Sequence, residues 1–169
     1  MIETSRLYIR ECQLDDKAFI FELFNQPECI EFIGDKGLTD LAKAEKYLES
    51  NIIKSYQLYN YGLYAVTLKP SGEPIGLCGL VKRDYLEIAD LGFALLSSYA
   101  GQGMAFEACN AVLDYCTGTL GINKLLAMTN PNNVRSLSLL ERLGFTIEPT
   151  PTSIPELQNL TLLSLETKE

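Results

Sequence analysis

Two glycines on either side of a glutamine, Gly101-Gln102-Gly103, give this chain its first chemical hint. They follow an apolar run that ends in Ser97-Ser98-Tyr99-Ala100. They precede Ala105, Ala108, Cys109, Val112, Leu113 and Cys116, which recur at helical spacing. Glycine takes positive φ and lets the backbone pass close to a bound group. The first amides of the following helix, at Met104 and Ala105, can then point at an anion with the helix dipole behind them. The expected ligand is a phosphate. The same strand, glycine pair and helix can also be a plain helix cap, and neither common phosphate signature fits. The dinucleotide pattern wants glycine or alanine at Phe106, and the ATP-binding loop wants Lys-Ser or Lys-Thr after its last glycine.

Histidine is absent, which excludes Ser-His-Asp and Cys-His catalysis and most catalytic zinc sites. Any proton-accepting group must be a carboxylate or a water relayed through one. Five cysteines, Cys12, Cys29, Cys78, Cys109 and Cys116, form no Cys-x-x-Cys pair, so neither a disulfide framework nor a metal site is expected. Cys109 and Cys116 sit seven apart on an apolar helix face and read as buried structural thiols in a reducing compartment.

The elements that must hold the turn are read from pattern and punctuation. Residues 7–11 form a first strand, and Leu14-Asp15-Asp16 caps a helix carrying Phe19, Phe21, Leu23 and Phe24, which Pro27 ends. Residues 31–38 read as a loop, and Thr39 or Asp40 caps a second helix with Leu41, Ala44, Tyr47, Leu48, Ile52 and Ile53 on one face. Tyr56, Tyr59, Tyr61 and Tyr64 either line a pocket or pack on the core. Strands follow at 63–68, 75–81 and 87–95, then the helix after the glycine turn, ending near Gly118, and a strand at 124–129. A helix from about Asn133 to Leu143 buries Val134, Leu137 and Leu140 and stops at Gly144. Phe145 begins another strand, and residues 160–165 form a last edge strand.

At 169 residues the chain reads as one domain, 1–169, large enough for a single core. Fourteen basic against twenty-two acidic side chains give a net charge of −8, which argues against nucleic acid or an anionic membrane as partner and suits a cationic one. No apolar signal segment and no run of ~20 apolar residues is evident, so a soluble, cytoplasmic protein is expected.

A second stretch, Asn133-Val-Arg-Ser136 through Leu143-Gly144-Phe145, changes the weight of the glycine turn. Together the two resemble the GNAT superfamily of acetyl-CoA-dependent N-acetyltransferases, closest to the branch that acetylates ribosomal-protein N-termini. That family's Arg/Gln-x-x-Gly-x-Gly/Ala turn is matched by Ser98-Tyr-Ala-Gly101-Gln-Gly103, with serine in place of the first residue. Thr4-Ser-Arg6-Leu7-Tyr-Ile-Arg10 resembles the branch's opening strand, and Glu73-Pro-Ile-Gly76-Leu-Cys-Gly79-Leu its central hairpin.

The resemblance implies an α/β (α+β) fold with a mixed, splayed sheet of six to seven strands and helices on both faces. It implies acetyl-CoA as cosubstrate, with no metal. The cradle would comprise Ser98, Gly101, Gln102, Gly103, Met104 and Ala105, joined by Asn130, Asn133 and Arg142. Lys124 or Arg135 would be further cations near the phosphates. The backbone of Phe93 and Leu95, on a strand bulged near Gly92, would pair with the pantetheine arm. Asp90, or less so Glu87, is the candidate base. Ser136 is the candidate acid, with Tyr85 and Tyr99 as alternatives, and Asn133 sits near the sulfur or caps its helix. The amide of Leu95 would meet the developing oxyanion. One wall of the acceptor cleft would come from residues 31–38 and the first two helices, with Phe32, Asp35 and Lys36 to watch. The acceptor expected is a protein or peptide N-terminus. A polyamine, amino acid or aminoglycoside, or a module that binds acyl-CoA without turnover, stays open, and family habit makes a homodimer an expectation.

Overall fold

The computed structural model describes residues 1–167. The chain runs β1 (Ile2–Glu3), β2 (Leu7–Glu11), α1 (Lys17–Phe24), α2 (Pro27–Phe32), α3 (Leu41–Tyr47), a π-helical turn (Leu48–Ile53) and α4 (Lys54–Tyr59). It continues through β3 (Leu63–Leu68), β4 (Pro74–Val81), β5 (Asp90–Leu95), α5 (Met104–Gly118), β6 (Lys124–Thr129), α6 (Val134–Arg142), β7 (Thr146–Glu148) and β8 (Thr161–Glu166). The strands form one sheet in the order β1-β2-β3-β4-β5-β6-β8-β7. Every described pairing is antiparallel except β5 with β6.

Strand alternation divides the core between two faces. Val66, Cys78, Leu80 and Leu91 turn toward α5, whose Met104, Ala108, Cys109, Val112 and Cys116 are buried against them. Ala65 and Leu77 turn the other way, into Phe19, Ile20, Leu23, Ala44, Leu48 and Ile52 from α1, α3 and the π turn. Each fully buried valine, leucine, isoleucine, phenylalanine or methionine among them contributes about 1.5–3 kcal/mol. Because β4 is covered on both sides, its sequence is a continuous apolar run rather than an alternation. Gly79 within it admits no side chain, since a Cβ there would lie 2.1 Å from the carbonyl oxygen of Gly62.

Several expectations are corrected. The sheet has eight strands rather than six or seven, because the two-residue β1 adds to one end. Residues 160–165 do not make an edge: β8 lies between β6 and β7, and β7 is the edge. Pro27 opens α2 at its first turn instead of only ending α1, as suits a residue without an amide to satisfy. The strand expected at 87–95 starts at Asp90, and Glu87 is exposed in the preceding turn. Val134 is 72% exposed, because the first turn of α6 lies past the end of β6; Leu140 is the buried contact of that helix.

The tyrosine cluster is packing. Tyr56 stacks on Tyr64 at 5.5 Å, accepts from the Cys12 amide and donates to the Leu63 carbonyl. All five cysteines are buried and free, and burial pushes Cys12 and Cys116 up to about 12.

Candidate functional site

The site begins where β5 and β6 part. The two strands share one pairing, Asp90 with Leu126, and the Leu126 amide donates to the Ala89 carbonyl at 3.0 Å. At the other end of β5, the Leu96 amide donates to the Ile75 carbonyl, beside β4, at 2.8 Å. Backbone groups alternate sides along a strand, so odd-numbered residues of β5 face β6 and even-numbered ones face β4. Beyond Asp90 the two strands diverge. The peptide groups of Phe93 and Leu95 are therefore left facing an open gap. The splay arises without the expected bulge at Gly92, for β4 and β5 pair without interruption from Val81↔Asp90 to Gly76↔Leu95. The one register shift on this part of the sheet is at Val66/Thr67 in β3.

The gap widens toward the glycine turn. Gly101 and Gly103 have φ of 76° and 77°, and Gly103 starts α5 with no side-chain cap. The first intrahelical bond is Glu107 N to Gly103 O at 3.1 Å, which leaves the amides from Gly103 through Phe106 without partners inside the helix. Met104 is buried and anchors the turn, while Gly101, Gln102 and Gly103 are exposed. Ser98 is exposed too, and its carbonyl, rather than its hydroxyl, is engaged, by Gln102 Nε2 at 3.4 Å.

A clamp that sequence reasoning missed holds this turn from behind. The Glu107 carboxylate accepts from Thr4 Oγ1 at 2.6 Å, Ser5 Oγ at 3.2 Å, the Arg6 amide at 2.9 Å and Arg6 Nε at 2.6 Å. Arg6 Nη1 donates onward to the Gln102 carbonyl at 2.8 Å. These donors hold Glu107 at about 2, overcoming the upward pull of burial. Glu107 is thus neutralised by Arg6, and a carboxylate in the first turn does not repel an incoming anion. The signal was present in the sequence: a glutamate placed where a phosphate is expected requires a cation from elsewhere. The neighbouring Arg10 does other work, forking onto buried Asp16 at 2.9 Å on each nitrogen to seat the start of α1.

Helix α6 lines the opposite side. Asn130 Oδ1 accepts from the Asn132 amide at 2.9 Å and shapes the turn after β6. Asn133 Oδ1 caps α6 by accepting from the Ser136 amide at 3.2 Å. Ser136 lies one turn in, half-buried. At the far end of α6, the Arg142 guanidinium stands 4.5 Å from the Phe106 ring centroid in the first turn of α5. The helix therefore spans from the end of β6 to the phosphate-facing end of α5. Lys124 is not part of this group; it lies at the start of β6, paired with Glu166 at 2.9 Å.

Asp90, the candidate base, is paired. It is 2% exposed at the foot of the gap, and both oxygens are held by Arg83, Nε at 2.8 Å and Nη2 at 3.1 Å. Burial pushes its carboxyl up from the ordinary range and Arg83 pulls it back only in part. Both oxygens are thus bonded to the guanidinium. Arg83 was overlooked, although hairpin pairing of Val81 with Asp90 places it just across the turn. Tyr99 donates to Glu73 at 3.2 Å, away from a free acid's role. Tyr85 sits in a third apolar cluster with Leu86, Leu157 and Leu162 that covers β6 and β8 beside the hairpin turn. Among the described residues, no group of three or more histidine, cysteine or acidic side chains is placed to hold a metal ion.

Comparison with known proteins adds the following. Residues 6–146 match the family model of the acetyltransferase (GNAT) domain. The uncharacterized N-acetyltransferase p20 of Bacillus licheniformis is 28% identical over 147 residues, covering 86% of this chain and 82% of that one. The [ribosomal protein uS5]-alanine N-acetyltransferase of Escherichia coli (strain K12) is 33% identical over 97 residues, 56% of this chain and 48% of that protein. Among solved structures, the spermidine N-acetyltransferase of Vibrio cholerae in complex with CoA and spermine superimposes with a TM-score of 0.78 at 20% identity, covering 96% of each chain.

Proposed function

The chain belongs to the acetyltransferase (GNAT) family, and from that premise we propose that it transfers an acetyl group from acetyl-CoA to the N-terminal amine of a protein or peptide. The observation that carries the reading is the splayed β5–β6 gap leading to the glycine turn. It offers unpaired peptide groups for an extended arm and unpaired helix amides for an anion at its end.

The residues present fit the donor. The amides of Gly103, Met104, Ala105 and Phe106 would hold the pyrophosphate, with Gly101 and Gln102 shaping the turn and Arg142 at its rim. Phe93 and Leu95 would pair with the pantetheine arm. Asn130 and Asn133 would fix the end of β6 and the start of α6 beside the sulfur. The donor supplies an acyl carbon activated as a thioester. The Leu95 amide would donate to the oxygen that gains charge, and the Ser136 hydroxyl would deliver a proton to the departing sulfur. With Asp90 held by Arg83, the amine proton would leave through ordered water. An α-amino group titrates near ~8 against ~10.4 for lysine, so an N-terminal acceptor asks less of that water.

The preference for an N-terminal acceptor rests on the 33% identity to the uS5-alanine enzyme over its matched segment. A polyamine acceptor is the second reading, supported by the structural likeness to the spermidine enzyme and by the net charge of −8. Thiol release from acetyl-CoA against N-terminal peptides, polyamines and aminoglycosides, with CoA binding by calorimetry, separates them. Peptide-dependent release supports the proposal, and release with polyamines alone overturns it. CoA binding without turnover by any amine leaves a binding module.

A further inference from the structure

On a chain of net charge −8, three lysines line one groove whose lining holds no carboxylate. Lys36, Lys43, Lys46, Tyr47, Ser50 and Asn51 line a groove of ≈ 300 Å³ between the 33–40 loop and the helical hairpin wall. Lys43, Lys46, Tyr47 and Ser50 fall at i, i+3, i+4 and i+7 and so share one helix stripe. Asn51 and Ser50 come from the π-helical turn, whose extra residue re-aims side chains relative to a regular helix and recurs at functional sites.

Of the acids nearby, Asp40 is taken up as the cap of α3, accepting from the Lys43 amide at 2.8 Å. Asp35 accepts from the Gly37 amide at 2.8 Å within its own loop, and Glu45 is paired with Lys17 across the helix. Lys46 stands on the ridge shared with the adjoining groove of Glu45 and Glu49. None of the three lysines has a carboxylate oxygen within ion-pair distance among the described residues. Lys43 is positioned by donating to Thr39 Oγ1 at 2.7 Å. The loop itself is pinned by buried Leu38 and by Asn25 Nδ2 on the Leu38 carbonyl at 2.9 Å.

The groove lies on the sheet face next to β5: its Tyr47 packs against the same apolar cluster as Ala94 and Leu96 at the end of that strand. Burial and, second to it, the charge of Arg83 lower Lys36, and the same Arg83, which holds Asp90 at the foot of the splay, pulls against the burial that raises Tyr47. A chain extending outward from an amine in the gap advances about 3.3–3.6 Å per residue, so the residues after the first are the ones that can reach beyond the gap.

Resting on the peptide reading above, we propose that this lysine groove seats carboxylate side chains of the acceptor, so that the favoured substrate is an N-terminus followed by acidic residues. The test is kcat/KM for peptides sharing one first residue and carrying Glu, Gln or Lys at positions two to four. It is run on the wild-type protein, on the single variants Lys36→Gln and Lys43→Gln, and on Lys36→Glu/Lys43→Glu/Lys46→Glu. The acidic series should exceed the neutral one by about tenfold at low salt and lose that advantage as salt rises. The neutral substitutions should shrink the ratio and the triple reversal should invert it. Peptide acetylation with no acidic preference, or a preference that survives the reversal, overturns the groove assignment while leaving N-terminal acetylation intact. Turnover of polyamines with no peptide overturns both.

Discussion

The donor side and the acceptor side of this molecule are built from different material. Around Gly101–Gly103 and β5 the groups that would meet a ligand are peptide amides and carbonyls, and side chains act from behind: Arg6 and Glu107 fix the turn without facing the gap. Around the 33–40 loop, α3 and the hairpin turn after β4, the exposed chemistry is side chains: Lys36, Lys43, Tyr47 and Arg83. A backbone site tolerates sequence change as long as conformation is kept, whereas a side-chain site changes its ligand with each substitution. One chain can therefore keep its donor while relatives differ in acceptor.

The strongest way to break this contrast is to attack conformation on the donor side. Gly103→Val puts a β-branched residue at φ 77° with its Cβ 3.5 Å from Arg6 Nη2. The strain is about 1–3 kcal/mol, and the turn escapes it by leaving the conformation that aims its amides. CoA affinity measured by calorimetry should fall about 10- to 100-fold, with far-UV circular dichroism unchanged. Gly118→Ala, where an added Cβ meets nothing within 4 Å, should leave binding as it was. If both variants bind alike, the backbone cradle is not the donor site.

On the acceptor side the matching experiment is Asp90→Asn, which leaves the Arg83 guanidinium facing a neutral amide. Loss of a buried, bidentate partner should lower unfolding free energy by about 2–3 kcal/mol, read by urea denaturation. The acid limb of kcat/KM against pH should stay in place if, as proposed, water rather than Asp90 takes the proton. An acid limb that disappears with stability intact would return Asp90 to the role of base.

Glu107→Gln tests the clamp behind the donor turn. Wild-type Glu107 is held at about 2, below its ordinary 4.5. Its stabilisation is thus fully present above about 4.5 and is lost as pH falls toward 2. The variant should bind CoA about three- to tenfold more weakly at pH 7, since Arg6 loses its counter-charge and the turn loosens. It should also show a shallower loss of stability between pH 4.5 and 2. Equal affinity in variant and wild type would reduce the clamp to a fold contact.

The same division explains what could be read from sequence. The glycine turn, α5, β3, β6 and the cap of α6 were legible, since glycine placement, apolar period and capping residues are local properties. The order β6-β8-β7 was not, because strand adjacency depends on which faces meet after collapse, and residues 160–165 carry no mark of being central. The α2 start at Pro27 was missed because proline reads equally as a stop and as a first-turn residue. In the site, the backbone positions at Phe93 and Leu95 were named from the family resemblance, while the Arg83–Asp90 fork and the Arg6–Glu107 clamp join residues 7 and 101 positions apart and needed the tertiary structure.

The smallest expected effect is the sharpest check on a backbone-built donor site. Ser98 departs from the family's arginine or glutamine, which makes it the natural suspect for weakened binding. Its side chain makes no hydrogen bond among the described residues, and only its carbonyl is used, by Gln102. The turn is held instead by Arg6 on the Gln102 carbonyl and by buried Met104. Ser98→Ala should therefore change CoA affinity by less than about twofold, within the range of surface substitutions that break no feature. Ser98→Arg should strengthen it modestly and in a salt-dependent way, by adding an exposed cation near the phosphates. A tenfold loss in Ser98→Ala would show that the hydroxyl contacts the ligand directly, and the donor side would then join the acceptor side in being specified by side chains.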